Sequence, residues 1–577
     1  MDKEITIRIT GEAGQGIQTI GAALCGLFKS CGLHIFANQD YMSRIRGGNN
    51  FFQIRVKESP VLALREKPDI IVALDKQSVA LHKPALAAGG SLVLDKKKFD
   101  IAGSDEAFFD VPLYELAAST GGSEIFLNTV SCGVVAAMTG TDFRYLELII
   151  REAFAAKGGE IIGKNIAAAQ AGFDFAKNNF KKQEFLLRPG RPVNGALLLN
   201  GNEAIGLGAI RGGCKFYSAY PMSPSTGIMD TIAHYSRKYN ILVEQAEDEI
   251  AAINMIIGAS FAGARSMTGT SGGGFALMGE GISLAGMTET PVVVVDAQRP
   301  APATGFPTRT EQADLDLLIH AGHGEFARVV YSPGTIEEAF YLTVKAFNVA
   351  EKYQIPVLIM TDQHLADSYR DIESFDMNKA QVERYIISRD ASKQVAGYKR
   401  YLFAPSGISP RAIPSWIEDP FYADSDEHNE EGHITEDALT RVKMVEKRLY
   451  MKMAGLARET EDPVAHNLEK AGTVLIGFGS TYGVIKEACL ALGPGFASLH
   501  LPQVWPFPAS QAGSLLKGKK SILTVENNAV GQLAGLLRRE TGIKADGSIL
   551  RYDGRPFNLD YLLERIRERG ENGNQRF

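Results

Sequence analysis

The chain has 577 residues, which at roughly 150 residues per domain predicts three or four domains and excludes a single small module. Hydrophobic residues make up 45% of the sequence and charged residues 22%, which excludes a disordered or collagen-like chain. The 61 basic and 67 acidic residues give a formal net charge of -6, too small and of the wrong sign for general binding to nucleic acid or an anionic membrane.

The N-terminus and the cysteines favour a cytoplasmic protein. Residues 1–10 alternate charged and β-branched side chains, which predicts a strand and lacks the apolar core of a signal peptide. The longest uncharged apolar stretch, 250–264, has fifteen residues, too few to span a membrane, and predicts a buried helix. The five cysteines are odd in number and show no C-x-x-C spacing, which disfavours disulfides, a zinc site and a self-contained iron–sulfur cluster.

Residues 1–180 predict a first α/β domain with a mostly parallel sheet. Amphipathic stretches of ten or more residues alternate with short β-branched runs, as in βαβ units. These runs are residues 5–9, 51–56, 69–74 and 90–94. The segment 180–192 mixes charged residues with two prolines and has no periodicity, so it predicts a linker and a domain boundary near residue 190.

Two glycine-rich turns follow predicted strands, at residues 11–16 and 477–483. Glycines let backbone N–H groups approach an anion at a helix N-terminus. The first turn is one step out of phase with the dinucleotide fingerprint, and the second has its third glycine one residue late. NAD binding is therefore weakly indicated, and a strand-to-helix connection without a ligand is at least as good an interpretation of both turns.

A basic segment that contains Arg44, Arg46, Gly47, Gly48 and Asn49 lies immediately before a predicted strand. Two guanidinium groups beside flexible glycines can bind a phosphate-like anion through charge-assisted hydrogen bonds and backbone donors. A charged hairpin tip explains the same residues equally well.

The second predicted α/β domain spans 190–375 and contains a rigid loop at 219–226. Prolines on either side of Ser223 restrict the backbone there and hold its hydroxyl in place. A hydroxyl later in the loop, that of Ser225 or Thr226, is expected to cap the next helix.

Acidic residues gather at the start of a long apolar helix in this domain. Asp248 fits the N-cap, and capping is the simpler interpretation of the cluster because carboxylates in a first turn offset the helix dipole. Glu249 stands at the entry to a helix that is apolar almost all round, so its carboxylate is expected to be largely buried and to need a hydrogen-bond donor. A buried acid near a cleft is a candidate proton carrier.

A loop rich in proline and glycine follows the buried strand predicted at 291–295. It spans residues 296–312 and contains Arg299 and Arg309. Ligands of open α/β sheets bind outside the carboxyl ends of the strands, which is where this loop must lie. A surface loop without a role is the alternative.

The chain after residue 375 is predicted to form a long connection, 376–470, and a third α/β domain, 471–577. Residues 415–437 hold nine acids and no Lys or Arg. His428 and His433 lie among these carboxylates, so a metal site is conceivable, but a solvated acidic loop is the better interpretation.

Taken together, the motifs resemble those of a fused gamma–alpha chain of a 2-oxoacid:ferredoxin oxidoreductase. The matching residues are 11–16, 46–48, 220–226, 247–252 and 304–308, with Gln312 and Asp314. The resemblance implies an α/β fold of three domains with mostly parallel sheets. These are a gamma-type domain, a pyrimidine-type domain for thiamine diphosphate, and a transketolase C-terminal-like domain with a role in assembly. A separate beta subunit would supply Mg²⁺ and a [4Fe-4S] cluster, which fits the absence of a cysteine cluster here.

The same resemblance implies roles for single residues at the cofactor. Glu249 matches the acid that hydrogen-bonds to the aminopyrimidine ring of thiamine diphosphate and so promotes removal of the thiazolium C2 proton. Tyr220 and Pro221 belong to the motif on the same side of the cofactor. The basic segment at 44–49 resembles a Gly-Gly stretch that lies near coenzyme A in single-chain relatives.

Substrate-binding roles are implied for Ser223, Arg299, Thr308 and Arg309. Ser223 stands where many relatives have threonine, so the hydroxyl is kept and the methyl is lost. A guanidinium holds a carboxylate in bidentate fashion, and the resemblance does not decide which arginine reaches the carboxylate of a 2-oxoacid.

The fused order and Met222 after Tyr-Pro resemble chains that act on 2-oxoglutarate. The implied reaction is a reversible oxidative decarboxylation with CoA to succinyl-CoA, CO₂ and reduced ferredoxin, by an (αβ)₂ assembly that is active only with the beta subunit. The second carboxylate of 2-oxoglutarate would need an extra basic residue, for which Arg44, Arg46 and Arg309 are available. Pyruvate or a branched-chain 2-oxoacid as substrate, a nicotinamide-dependent dehydrogenase and a non-enzymatic CoA-binding module are the alternatives.

Overall fold

The structure, a computed structural model, describes residues 3–42, 48–190, 195–393, 397–418 and 420–572. The chain divides into two compact units. The first consists of Met1–Leu199, Ser368–Ser374 and Asn558–Leu562, and the second of Asn200–Asp367, Phe375–Phe557 and Leu563–Phe577.

The strands of the described residues form three sheets. In chain order they are β1 Glu4–Glu12, β2 His34–Asp40, β3 Asn49–Lys57, β4 Ile70–Ala73, β5 Ser91–Leu94, β6 Phe108–Asp110, β7 Leu197–Leu199, β8 Phe216–Ala219, β9 Leu242–Gln245, β10 Ser266–Thr270, β11 Val292–Gln298, β12 Val329–Tyr331, β13 Pro356–Asp362, β14 Tyr369–Ile372, β15 Val464–His466, β16 Thr473–Phe478, β17 Phe496–Leu501, β18 Gln503–Trp505, β19 Ser521–Glu526 and β20 Gly547–Leu550.

Helices connect most of these strands. They are α1 Ile17–Ser30, α2 Lys76–His82, α3 Lys96–Phe99, α4 Leu113–Gly121, α5 Leu127–Met138, α6 Phe143–Ala153, α7 Gly159–Asn179, α8 Gly201–Arg211, α9 Thr226–Tyr239, α10 Glu249–Phe261, α11 Gly272–Leu277, α12 Gly279–Met287, α13 Leu315–Ile319, α14 Ile336–Tyr353, α15 Gln363–Asp367, α16 Arg389–Ser392, α17 Ala438–Val445, α18 Lys452–Leu456, α19 Thr481–Leu492, α20 Ala509–Leu516, α21 Gln532–Thr541 and α22 Leu559–Asn572. A π-helix, Glu446–Met451, joins α17 to α18.

The first unit is built on an eight-stranded sheet with the strand order β6-β5-β4-β1-β3-β2-β14-β7. Strands β1, β4, β5 and β6 run parallel, whereas the pairings from β1 through β3, β2 and β14 to β7 are antiparallel. The β-branched runs predicted from the sequence coincide with β1, β3, β4 and β5, so these strands are confirmed. The alternation of side chains within β3 does not by itself reveal the direction of its neighbours.

Residues 180–190 pack on the first unit and do not form the open linker that their composition predicts. They include a short 3₁₀-helix, Gln183–Phe185. Phe185 and Leu187 are 6% and 5% exposed and belong to the core of the unit, and the Leu187 N–H donates to the carbonyl of Thr139 at 3.0 Å. This segment is packed and not an open linker because burial of its apolar side chains stabilises one defined path of the backbone.

The second unit contains the other two sheets. The seven-stranded sheet has the order β18-β12-β13-β11-β10-β8-β9 and is parallel except at its β18 edge, and the five-stranded sheet has the order β15-β17-β16-β19-β20 and is parallel except at its β15 edge. Buried residues of both sheets, such as Val294 and Leu358 in one and Val474 and Leu499 in the other, form one continuous core. The two sheets therefore stabilise each other within this unit.

The acidic segment at 415–437 is less solvated than its composition predicts. His428 is fully buried, and its ring packs at an inclined angle against the ring of Tyr401, with 4.1 Å between the ring centroids. Glu427 pairs with Arg448 at 2.7 Å, and Glu430 lies 3.1 Å from Lys399. The basic partners come from other parts of the second unit, so a loop that is acidic in sequence is folded against positive charge.

Two observations on the described residues bear on cofactors and membranes. Within them, no group of three or more His, Cys, Asp or Glu side chains is arranged to hold a metal ion. None of their helices combines the length and the apolar character that crossing a membrane requires.

Candidate functional site

The candidate site residues of the second unit lie where the strands of its seven-stranded sheet end. Strands β8, β10 and β11 are parallel neighbours. β8 leads into the loop at 220–225, β10 leads into α11, and β11 leads into Arg299. Because the carboxyl ends of parallel strands meet at one edge, the loops that the sequence predicted to carry the chemistry share one edge of the sheet.

Glu249 is the first residue of α10 and is buried there. Asp248 caps the helix by accepting a hydrogen bond from the Ala251 N–H at 2.7 Å, so the predicted cap is confirmed. Glu249 is 4% exposed, and within the described residues its Oε1 atom has no hydrogen-bond partner. An unpaired buried carboxylate oxygen is costly, so this position is set up to accept a hydrogen bond from a ligand.

The glycine turn at the start of α11 lies directly against this carboxylate. A Cβ atom on Gly274 would fall 2.5 Å from Glu249 Oε1 and 2.1 Å from Thr270 Oγ1. A side chain at this position would therefore displace the carboxylate. The glycine makes room for Glu249 at the end of β10.

Arg299 connects the Glu249 carboxylate to the loop that contains Ser223. Its Nη1 atom donates a hydrogen bond to the carbonyl of Ser223 at 2.8 Å. Burial lowers the pKa of Arg299, and the negative charge of Glu249 opposes this effect. One guanidinium thus lies within the electrostatic reach of Glu249 and fixes the backbone of the loop at 220–225.

The loop between β8 and α9 differs from the sequence prediction in one detail. Helix α9 begins at Thr226, and the Ser225 hydroxyl makes no capping bond but donates to the carbonyl of Met222 at 2.8 Å. Ser225 is therefore the N-cap residue, as predicted, but its hydroxyl closes the tight turn that precedes the helix and does not cap the helix. Tyr220 is 42% exposed, and Pro221 and Ser223 are partly exposed.

The loop after β11 places its two arginines in different surroundings. Gly305 has a φ of 52°, and a Cβ there would lie 1.7 Å from the carbonyl oxygen of Pro300, so only glycine fits this bend. Phe306 is 59% exposed, while Thr308 and Arg309 are partly exposed. Arg299 contacts the Ser223 loop, and Arg309 packs its Cβ and Cγ atoms against Gly554.

The candidate anion-binding segment of the first unit is described only in part. Arg44, Arg46 and Gly47 lie outside the described residues, and the carbonyl of Gly48 accepts a hydrogen bond from the Ala13 N–H at 3.3 Å. Asn49 is the first residue of β3.

The side chain of Asn49 faces inward, into a polar network. Its Oδ1 atom accepts from the Thr10 hydroxyl at 2.8 Å and lies 2.7 Å from His82 Nε2, and its amide donates to the Ser78 hydroxyl at 2.6 Å. Burial and the nearby Arg8 lower the pKa of His82 to about 4. The Asn49 side chain therefore links β1 to α2 through hydrogen bonds inside the first unit.

The sequence did not indicate that Asp296 and Asp314 form a buried pair. Asp296 lies within β11 and is fully buried. Within the described residues, neither of its carboxylate oxygens has a hydrogen-bond partner. Burial and the charge of Asp314 raise the pKa of Asp296, and burial with the charge of Glu311 raises the pKa of Asp314 to about 6. The sequence signals were Asp296, an acid directly after a predicted buried strand, and Asp314, which is among the residues of the family resemblance.

Replacing Asp314 by Asn should stabilise the protein at neutral pH. The folded pKa of about 6 lies above the ordinary 3.8, so the folded state favours the protonated form and loses stability as pH rises from about 4 to 6. The shift of about two units corresponds to roughly 3 kcal/mol above pH 6. The thermal midpoint of Asp314→Asn should match that of the wild type at pH 4 and exceed it at pH 8, as measured by calorimetry.

The exposed neighbour Asp316 provides the control for this experiment. Asp316→Asn removes the same charge two residues away, on the solvent side of α13. Because it keeps Asp314, the difference between its thermal midpoint and that of the wild type should stay constant from pH 4 to pH 8. A difference between Asp314→Asn and wild type that stays constant from pH 4 to pH 8 would contradict the raised pKa.

Comparison with known proteins assigns the chain to a family. Residues 207–447 match the family described as pyruvate flavodoxin/ferredoxin oxidoreductase, thiamine diphosphate-binding, and residues 6–175 match the pyruvate ferredoxin/flavodoxin oxidoreductase family. The 2-oxoacid:ferredoxin oxidoreductase subunit alpha of a Sulfolobus species is 33% identical over 97% of this chain and 96% of its own length. The chain belongs to the alpha subunits of the 2-oxoacid:ferredoxin oxidoreductases.

A solved structure and a further relative extend the comparison of this alpha subunit. The 2-oxoglutarate:ferredoxin oxidoreductase from Magnetococcus marinus, solved with 2-oxoglutarate, coenzyme A and succinyl-CoA bound, superposes with a TM-score of 0.91 at 30% identity, covering 98% of this chain and 100% of that one. The 2-oxoglutarate oxidoreductase subunit KorA of Mycobacterium tuberculosis is 27% identical over 98% of this chain and 91% of its own. The resemblance predicted from the motifs and the α/β fold are confirmed. The alpha subunit is thus part of an oxidoreductase and carries a thiamine diphosphate-binding domain.

Proposed function

We propose that this alpha subunit, joined to a beta subunit in an (αβ)₂ assembly in the cytoplasm, catalyses the CoA-dependent oxidative decarboxylation of 2-oxoglutarate. One 2-oxoglutarate, one CoA and two oxidised ferredoxins give succinyl-CoA, CO₂, two reduced ferredoxins and one proton, and the reaction is reversible. The observation that carries the proposal is the buried Oε1 atom of Glu249, which has no hydrogen-bond partner within the described residues at the carboxyl edge of a parallel sheet.

The residues at this edge fit the pyrimidine side of thiamine diphosphate. A ring nitrogen that carries a hydrogen is the kind of donor that the Glu249 carboxylate lacks, and the glycine at 274 keeps the carboxylate in its position. Tyr220 and Pro221 would contact the same side of the cofactor. When bound, thiamine diphosphate supplies the carbanion stabilisation that decarboxylation of a 2-oxoacid requires.

Exposed apolar side chains on the elements around Glu249 support the beta subunit as the second half of the site. Ile250 and Met255 on α10 are 51% and 41% exposed, Leu277 at the end of α11 is 53% exposed, and Tyr220 after β8 is 42% exposed. Large apolar side chains left exposed near a polar site favour cover by another polypeptide. We assign Mg²⁺, the [4Fe-4S] cluster and contact with ferredoxin to that beta subunit.

The choice of 2-oxoglutarate rests on charge and on the names of two similar proteins. A dicarboxylic substrate needs a cation for each carboxylate, and Arg299 and Arg309 extend from one loop, with Ser223 and Thr308 as hydroxyl donors. The similar Magnetococcus marinus enzyme binds 2-oxoglutarate and coenzyme A. The segment Arg44 to Asn49 is our candidate for the coenzyme A contact.

Replacing Arg309 by Ala should raise the KM for 2-oxoglutarate about ten- to a hundredfold, because a charge-assisted hydrogen bond to the substrate carboxylate is lost. The KM for pyruvate should rise less, since pyruvate has a single carboxylate. Arg299→Ala tests the other arginine in the same assay, and Arg538→Ala on the exposed surface of α21 is the control. Equal effects on both substrates would remove the assignment of Arg309 to the second carboxylate.

The proposed function is tested by purifying the chain with its beta subunit and without it. Reduction of a viologen dye is measured with CoA and with 2-oxoglutarate, pyruvate or a branched-chain 2-oxoacid. Activity that requires both chains and is highest with 2-oxoglutarate is the expected result. Preference for another 2-oxoacid would overturn the substrate assignment, and NAD-dependent activity of the isolated chain would overturn the reaction.

A further inference from the structure

The loop at 296–312, which contains Arg299 and Arg309 and is here called the substrate loop, is hydrogen-bonded at its end to the five-stranded sheet. Gln312, three residues after Arg309, is fully buried. Its N–H donates to the Asn527 carbonyl at 2.7 Å, its side-chain Oε1 accepts from the Asn527 N–H at 3.2 Å, and its carbonyl accepts from the Asn528 amide at 3.1 Å. Asn527 and Asn528 directly follow β19, so the end of this strand holds the end of the loop.

The side-chain NH₂ group of Gln312 donates hydrogen bonds to the ends of two further strands. Its Nε2 atom donates to the carbonyl of Phe478 at 3.0 Å, at the end of β16, and to Asp362 Oδ2 at 3.3 Å, at the end of β13. A Cβ on Gly479 would lie 2.9 Å from the same Nε2 atom. The second glycine-rich turn of the sequence therefore accommodates Gln312, which explains its glycine without a ligand.

A second contact reaches the part of the loop that carries Arg309. The Asn527 side chain donates hydrogen bonds to the carbonyls of Arg551 at 2.7 Å and Arg555 at 3.2 Å. These two hydrogen bonds hold the turn around Gly554. The carbonyl of Gly554 accepts from the Thr310 N–H at 3.2 Å. A Cβ on Gly554 would fall 3.1 Å from the Phe306 ring and 3.3 Å from Arg309 Cβ.

From these contacts we infer that the five-stranded sheet positions the substrate loop of the active site, with Asn527 and Gly554 as its positioning residues. The inference rests on the proposed function, in which this loop binds the carboxylates of the 2-oxoacid. The loop between β11 and α13 has no regular structure of its own, and ordering free backbone is costly. Hydrogen bonds with Asn527 and Asn528 keep the loop ordered before the substrate binds. Binding then costs less conformational entropy, so these hydrogen bonds lower the KM for the 2-oxoacid.

A matched pair of glycine substitutions tests this inference. Gly554 and Gly542 both have left-handed backbones, with φ of 78° and 74°, but no atom lies within 4 Å of a Cβ built on Gly542. Alanine strains the backbone equally at both positions, and only at Gly554 does it press on Phe306 and Arg309. In the αβ complex, Gly554→Ala should raise the KM for the 2-oxoacid about tenfold with kcat roughly unchanged, while Gly542→Ala should leave the KM unaltered.

Amide hydrogen exchange of the full-length chain gives a readout that does not depend on activity. Peptides that cover residues 300–312 should exchange faster in Gly554→Ala than in wild type or Gly542→Ala. If the alanine variants do not fold, the pair Gly554→Asn and Gly542→Asn replaces them, because asparagine tolerates a left-handed backbone.

The possible results separate this inference from the proposed function. A wild-type complex that reduces no dye with any 2-oxoacid overturns the proposed function, and the inference with it. An active wild-type complex in which the Gly554 and Gly542 variants have the same KM overturns the inference alone. Unchanged exchange of residues 300–312 in the Gly554 variant overturns it as well.

Discussion

Replacing Glu249 by Gln is expected to lower the turnover of the αβ complex about a hundred- to ten-thousandfold, the range that a positioned acid–base group contributes. Glutamine keeps the shape of the side chain but removes the negative charge that would hold the ring nitrogen of thiamine diphosphate. The rate of C2 proton exchange in the bound cofactor, followed by NMR after acid quench, should fall with turnover. Binding of the cofactor should weaken far less than the exchange rate falls.

The adjacent Asp248 provides the control for the Glu249 variant. Asp248→Asn removes a charge one residue away but keeps a side chain that caps α10, because Asn and Asp are equally good N-caps. It should leave C2 exchange close to the wild-type rate. The thermal midpoint of Glu249→Gln should not fall, since its Oε1 atom makes no hydrogen bond within the described residues. Wild-type exchange in Glu249→Gln would rule out the role of the carboxylate.

The burial of Glu249 could be predicted because it depends on local rules. Asp248 is a good N-cap residue, and the helix that follows is apolar on nearly every face, so the residue after the cap had to enter the interior. The same reasoning predicted the strands of the first unit from their β-branched runs. What the sequence could not show was that the carboxylate lies against Gly274, since that contact joins two separate helices, α10 and α11.

The parts of the site that could not be predicted depend on partners distant in sequence. Asp296 and Asp314 are separated by a loop, and nothing in either segment indicates that both are buried together. Gln312 belongs to the residues on which the family resemblance rests, but nothing near it in the sequence indicates its partner Asn527, which is more than two hundred positions away. Periodicity and spacing report only on neighbours in the chain.

The acidic segment shows the same limit in its electrostatics. A count of charges within 415–437 predicts a solvated loop, because no Lys or Arg lies inside that stretch. In the structure, Glu427 binds Arg448 and Glu430 binds Lys399. A local count of charge cannot include the cations that the fold brings in from outside the stretch.

The second large effect is expected at a buried ion cluster in the same unit. Glu289 is fully buried, and the ammonium groups of Lys447 and Lys452 both contact its carboxylate, that of Lys452 at 2.6 Å. Five residues apart, the two lysines would point about 140° apart on an α-helix. The π-helix Glu446–Met451 changes this spacing, so that both reach one acid.

The charges in this cluster depend on Glu289. Burial alone raises the pKa of Glu289, but Lys447, Lys452 and Arg400 together hold it well below its usual range. Burial lowers the pKa of Lys452 to about 8, against the opposing charge of Glu289. The lowered pKa of Glu289 therefore contributes stability that is fully present above its ordinary 4.5 and is lost as pH falls below that value. Above about pH 8, Lys452 loses its charge and its attraction to the carboxylate weakens.

Glu289→Gln should destabilise the second unit by about 3–5 kcal/mol, because it leaves two buried ammonium groups without a counter-charge. The double variant Glu289→Gln with Lys452→Met should recover part of this loss, since one of the unpaired charges is gone. Asp390→Asn, which breaks an exposed ion pair with Lys393, is the control and should leave the thermal midpoint unchanged. Calorimetric midpoints of Glu289→Gln and Asp390→Asn that coincide would show that the buried cluster contributes no more to stability than a surface pair.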